Sequence, residues 1–302
     1  MKSDYSWKSL FKPGDSNDYF HLSNPSPLQA NTNEFSLINA WWLAEASRLI
    51  YHPDFFDNSD INLGSFKYES LGFIENKDTS TQVAILKIIS NTPALVIVFR
   101  GTDEIEDWHT NIHAYQTSFN NTGKVHAGFK KAYLSIRPEL LNYLENSKIA
   151  IFITGHSLGA ALATLATSEI CNNKYFDSCY TFGSPRVGNS AFSNSIKCAQ
   201  IYRVINNCDI VTAVPLDFSV IKYIHVGCPY LINDKGDLIS NMNDVEIYNY
   251  KKDRLDNLKE YAKSKFLSKS FSSLKDDLPA FLVDHSPLNY VIGLQNLLRD
   301  LD

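Results

Sequence analysis

The sequence predicts an α/β fold, a mostly parallel central sheet with helices on both faces. Two observations carry this expectation: short apolar β-type runs alternate with segments of helical period, and no Pro-, Gly- or Ser-rich linker divides residues 35–250. The 302 residues therefore read as one domain. An irregular arm is expected over 1–34, where Pro13-Gly14 and Asn24-Pro25-Ser26-Pro27 punctuate the chain.

Residues 83–89, 94–99, 149–154, 179–182 and 201–205 are rich in apolar and β-branched side chains and read as strands. Apolar residues recur at helical spacing over 35–51 and 128–144, and 160–171 is rich in Ala and Leu, so these read as helices. At 44% hydrophobic and 20% charged residues, the chain can build a large core.

The net charge of -5 is spread along the chain, which gives no basic field for nucleic acid. The longest apolar runs, such as 94–99 and 149–153, fall far short of the roughly 20 residues that span a bilayer, so a soluble protein is expected. Asp4, Lys8 and Lys12 interrupt any hydrophobic signal segment, which favours a cytoplasmic location, with secretion by a non-Sec route as the alternative. Five cysteines cannot all pair within one chain and none makes a C-x-x-C spacing; they are expected to be mostly buried thiols.

The chemistry concentrates at 151–160, where an apolar strand runs into Gly155-x-Ser157-x-Gly159 and then into a helix of small residues. Such a turn is too tight for side chains two before and two after the serine, and it exposes the hydroxyl. It also aims the helix N-terminus at the reaction centre, where the Leu158 N–H can meet an oxyanion.

A serine hydroxyl needs a base and an orienting carboxylate, in the chain order Ser, Asp or Glu, His. Only His225 and His285 follow Ser157. His225 lies within 220–226, which reads as a strand interior and suits a structural histidine bonded to a carbonyl. His285, in a polar loop before the last helical pattern, is the better base. Asp209 follows the strand at 201–205 and is the candidate acid; Asp284 is disfavoured because adjacent side chains diverge.

Several separated segments together resemble the fungal-type, or class 3, lipases over residues 65–295. These are Val98-Phe-Arg-Gly-Thr102, Val125-His-Ala-Gly-Phe129, Thr154-Gly-His-Ser-Leu-Gly-Ala160, Tyr180-Thr-Phe-Gly-Ser-Pro-Arg-Val-Gly-Asn189, Asn206-Asn-Cys-Asp-Ile-Val211 with Pro215, and Asp284-His285. The resemblance implies an α/β-hydrolase fold with Ser157 as nucleophile, His285 as base, Asp209 as its orienter, and Thr102 with Leu158 as oxyanion donors. Arg100, His126 and Arg186 belong to the same motifs and read as packing and loop anchors. The strand matching 223–230 often carries a glutamate where this chain has Pro229.

The family's lid falls on 103–112, where Ile105, Trp108 and Ile112 share one helical face and could cover an acyl pocket. Residues 251–278 have no counterpart in the pattern. Eight basic residues against five acids, with Leu and Phe at helical spacing, make this a basic helical insert that could touch an anionic membrane surface.

The expectation is a serine hydrolase cleaving acyl esters of lipids, like a triacylglycerol lipase, with no cofactor and no metal. The alternatives are a phospholipase A, a soluble short-chain esterase, or a catalytically silent member that binds an apolar ligand or protein. Composition leaves the oligomeric state open.

Overall fold

The computed structural model describes residues 19–20, 22–23, 25–52, 60–63, 66–101, 115–197, 200–215, 222–268 and 283–301. Eleven strands and six α-helices of the described residues run in the order α1 (Leu37–Leu49), β1 (Asp60–Leu63), β2 (Phe66–Asn76), β3 (Thr81–Ile88), β4 (Ala94–Phe99), β5 (Gln116–Phe119), β6 (Gly123–His126), α2 (Ala127–Asn146), β7 (Ala150–His156), α3 (Leu158–Ile170), β8 (Phe176–Phe182), α4 (Ser190–Ser195), β9 (Ile201–Asn206), β10 (Cys228–Ile232), β11 (Leu238–Ile239), α5 (Asp244–Ser268) and α6 (Pro287–Arg299).

The main sheet has the order β1-β2-β3-β4-β7-β8-β9-β10-β11. Strands β4, β7, β8, β9 and β10 are parallel neighbours, and antiparallel hairpins extend both edges. All five predicted strands and three predicted helices are present, each shifted by a few residues at most.

Period-two alternation distributes the apolar side chains between two cores. Ile85, Ile97, Ile153 and Cys179 face α2 and α3, whereas Leu86, Val98, Phe152, Tyr180 and Val204 face α1 and α6. Helix α2 buries only one stripe, Phe129, Tyr133, Ile136, Leu140 and Leu144, while α3 is buried around most of its circumference. Its alanines permit that close approach to the sheet. No helix among the described residues is long and apolar enough to cross a membrane.

Three expectations are corrected. Residues 222–226 form no strand: Ile224 makes an isolated bridge to Gly188, and β10 begins only at Cys228. Pro229 is accommodated because β11 pairs only Leu231 and Ile232, so β10 is an edge strand at the proline. Of the described cysteines only Cys179 is buried; Cys171 and Cys208 are partly exposed and Cys228 is exposed, because the latter two sit in a loop and at a strand end. Finally, the helix of the basic insert starts at Asp244, ahead of the expected 251, and Lys251 is turned into the protein. Its expected apolar positions at 255, 258, 262, 267, 271, 274 and 278 lie outside the described side chains.

Candidate active site

The parallel register aligns the carboxyl ends of β7, β8 and β9, with His156 beside Phe182 and Phe182 beside Val204. The loops leaving these ends therefore converge, as at the carboxyl edge of other open α/β sheets. Ser157 follows β7, Gly183 follows β8, and Asp209 lies three residues beyond β9.

Ser157 has φ 60° and ψ -125° between β7 and α3, a left-handed conformation costly for a residue with a Cβ. It is held by its N–H donating to the Phe182 carbonyl at 3.0 Å and by its own carbonyl accepting from Ala160 N–H at 3.0 Å. The two glycines of the motif are sterically required: a Cβ on Gly155 would enter the Gly159 carbonyl, and one on Gly159 would enter the Phe99 carbonyl oxygen. Leu158 is the first residue of α3, where N–H groups have no acceptor within the helix.

His285 ends a short 3-10 turn, Val283–His285, immediately before α6. Its Nδ1 lies 2.8 Å from Asp209 Oδ2, and both side chains are fully buried. Asp209 Oδ2 also accepts from the Tyr290 hydroxyl at 2.5 Å, and Oδ1 accepts from Val211 N–H at 2.9 Å. Burial alone would raise the Asp209 pKa, but His285, the Lys251 ammonium and the Tyr290 hydroxyl outweigh it and hold it down to about 2. The carboxylate is thus ionised at neutral pH. His285 then carries its proton on Nδ1, which leaves Nε2 as the basic nitrogen of the neutral ring.

His156, the residue before Ser157, ties the base loop to the elbow. A carbonyl only accepts, so its Nε2–H donates to the His285 carbonyl at 2.7 Å, and Nδ1 accepts from the Tyr51 hydroxyl at 3.0 Å. Burial, reinforced by His285, lowers the His156 pKa well below the ordinary histidine value, which keeps this single tautomer. The two imidazole rings pack with centroids 4.5 Å apart.

Of the predicted site residues, Ser157, Leu158, Asp209 and His285 meet at this edge. Thr102, Ile105, Trp108 and Ile112 lie outside the described residues. Asp284 accepts from Asn207 at 3.3 Å, as expected for a residue facing away from His285. His225 donates from Nε2 to the Thr212 carbonyl at 2.8 Å, the structural role expected of it.

The three anchor residues also take structural partners. His126 caps α2 by accepting from Gly128 N–H at 3.2 Å, Arg186 donates to the Pro215 carbonyl at 3.2 Å, and Arg100 bonds Gln82. Three contributors were not legible beforehand: His156, Tyr290 and Lys251. Only His156 carried a signal, by its place inside the elbow motif.

Comparison with known proteins agrees with this geometry. Residues 96–219 match the class 3 lipase family. A lipase of Rhizomucor miehei is 31% identical over 156 residues, 47% of this chain and 42% of the relative. A phospholipase A1-II 1 of Oryza sativa subsp. indica is 30% identical over 154 residues, 40% of this chain and 39% of the relative. The chain thus spans less than half the length of these relatives. The crystal structure of a lipase from Rhizopus microsporus var. chinensis superposes with a TM-score of 0.54 at 25% identity, covering 74% of this chain and 87% of that one. The match to the class 3 lipase model thus falls on β4 to β9 and the Asp209 loop, within a mostly parallel sheet of α/β-hydrolase type.

Proposed function

We propose that this chain is a carboxylic-ester hydrolase acting on acyl esters of lipids through an acyl-enzyme on Ser157. The observation that supports it best is the buried 2.8 Å pair of His285 and an ionised Asp209, tied by His156 to the strained turn that presents Ser157. His285 takes the Ser157 proton, Oγ attacks the ester carbonyl, and the alcohol leaves with that proton. Water then repeats the cycle on the acyl-enzyme. The Leu158 N–H, with Thr102 by resemblance, meets the developing oxyanion; losing one such donor costs about 3 kcal/mol of transition-state stabilisation.

The named relatives support two substrate classes. The Rhizomucor relative is a lipase and the Oryza relative a phospholipase A1, so neutral acylglycerols are the first reading and phospholipids the second. In either reading, the resemblance assigns 103–112 the role of the family's lid. The basic residues of 252–276 favour transient contact with an anionic membrane surface, and Lys251, being buried, takes no part in it.

A chain-length series of nitrophenyl esters, run beside phospholipid vesicles on wild type and Ser157→Ala, tests the reading. Hydrolysis by wild type, reduced about 10⁴-fold or more by the alanine, is expected. Equal inactivity of both proteins on every substrate would leave a binding protein. Deleting 252–276 with unchanged binding to anionic vesicles would remove the membrane contact.

A further inference from the structure

The first half of α5 docks on the loop that carries Asp209, and it does so with one face. Asp244 receives Arg203 at 2.5 Å, Ile247 packs with Ile205 and Leu231, and the Tyr250 hydroxyl donates to Asn207 Oδ1 at 2.8 Å. Residues 244, 247 and 251 follow the three- and four-residue spacing of a single helical stripe. At the end of that stripe stands Lys251, 1% exposed.

A buried ammonium is costly and is rarely retained without partners. The Lys251 ammonium has two: it donates to the main-chain carbonyl of Asp209 at 2.9 Å and to Thr212 Oγ1. Thr212 passes the contact on, since its own hydroxyl donates to the same Asp209 carbonyl at 2.9 Å. Asp209 is therefore fixed on two sides. Val211, Tyr290 and His285 hold its carboxylate in front, while Lys251 and Thr212 hold its backbone behind.

We infer that Lys251 is a positioning residue for the Asp209–His285 pair, and that α5 is through it part of the catalytic apparatus. The inference rests on the hydrolase reading, because positioning matters only if His285 acts as a base. Lys251 touches no reacting atom and acts by fixing where the Asp209 carboxylate meets Nδ1. A shift of a fraction of an ångström there misdirects the imidazole, and catalytic geometry tolerates little of it.

The test uses the full chain with Lys251→Met, Lys251→Arg and Thr212→Val. Two signals are read: kcat and KM on a short soluble ester, and the low-field proton resonance of the His285 Nδ1–H. Lys251→Met is expected to lower kcat tenfold or more with KM within twofold, and to shift or broaden the resonance. Lys251→Arg should recover part of both. Thr212→Val, which keeps the lysine and the volume, should lower kcat severalfold in the same direction and serves if the methionine variant does not fold.

Lys251→Met or Thr212→Val with kcat within twofold and an unmoved resonance would overturn the inference. If wild type hydrolyses no ester but Lys251→Met still moves the resonance, the hydrolase reading falls and the positioning contact stands.

Discussion

The Tyr290 hydroxyl donates to Oδ2 of Asp209 at 2.5 Å, the same oxygen that receives His285 Nδ1 at 2.8 Å. Tyr290 belongs to α6, five residues after His285, so one short segment supplies both the base and a second donor to its orienting carboxylate. Burial and the adjacent carboxylate push the Tyr290 pKa well above its ordinary value, so the donor persists at every working pH. A hydrogen bond to a charged group contributes about 1.5–3 kcal/mol. Tyr290→Phe is expected to lower kcat by about tenfold to a hundredfold with little change in KM, measured on a soluble ester; an unchanged kcat would count against the role.

Gly183 occupies the floor beneath the same pair. Its φ is +61°, and a Cβ there would lie 2.8 Å from Cε1 and Nδ1 of His285 and 2.9 Å from Asp209 Oδ2. Gly183→Ala should therefore displace the imidazole and lower kcat/KM about a hundredfold or more, in line with the sensitivity of catalysis to ångström-scale misplacement. Circular dichroism should show the fold retained. Activity equal to wild type would mean that His285 can work from elsewhere.

Acid should destabilise the protein in two separate windows. Burial holds His156 and His225 neutral, with pKa values well below the ordinary 6.5, aided at His225 by the Arg203 and Arg186 charges. Unfolded chains would bind these protons first, so stability is complete above about pH 6.5 and falls below it by about 1.4 kcal/mol per pH unit for each histidine. Asp209, held down to about 2, adds its own loss only between its unfolded value of 3.8 and about 2. Denaturant titrations from pH 7 to 5 on wild type and His225→Gln should show a shallower slope in the variant. Parallel slopes would refute the assignment.

Lys251 makes the opposite prediction at high pH. Burial lowers its pKa to about 8, partly offset by Asp209, Cys208 and Asp284 and reinforced by Arg203. The unfolded lysine keeps its proton up to 10.5, so wild-type stability gains about 3 kcal/mol from this group as pH rises from 8 to 10.5. Lys251→Met lacks that gain. Its stability relative to wild type should be greatest at neutral pH and should decline across this window, as read from guanidinium midpoints at pH 7, 9 and 10.5.

The sequence by itself determined the parts that depend on local pattern. Continuous apolar runs at 94–99 and 149–154 named the central strands because a strand covered by helices on both faces buries side chains on both sides. Gly155, Ser157 and Gly159 named the elbow because no larger residue fits there. The chain order of nucleophile, acid and base named Asp209 and His285 after Ser157, the resemblance implied the same three, and the fold brings them to one sheet edge.

Tertiary structure decided which polar groups complete that edge. The Lys251–Asp209, Tyr290–Asp209 and His156–His285 contacts join residues 42, 81 and 129 positions apart. Among the eight basic residues from 251 to 278, nothing in the pattern set Lys251 apart. It became interior only because α5 starts at Asp244 and docks the stripe through Asp244 and Ile247 onto the Asp209 loop. Periodicity records how a helix distributes its residues around its axis, but which face meets the protein is settled by what it packs against.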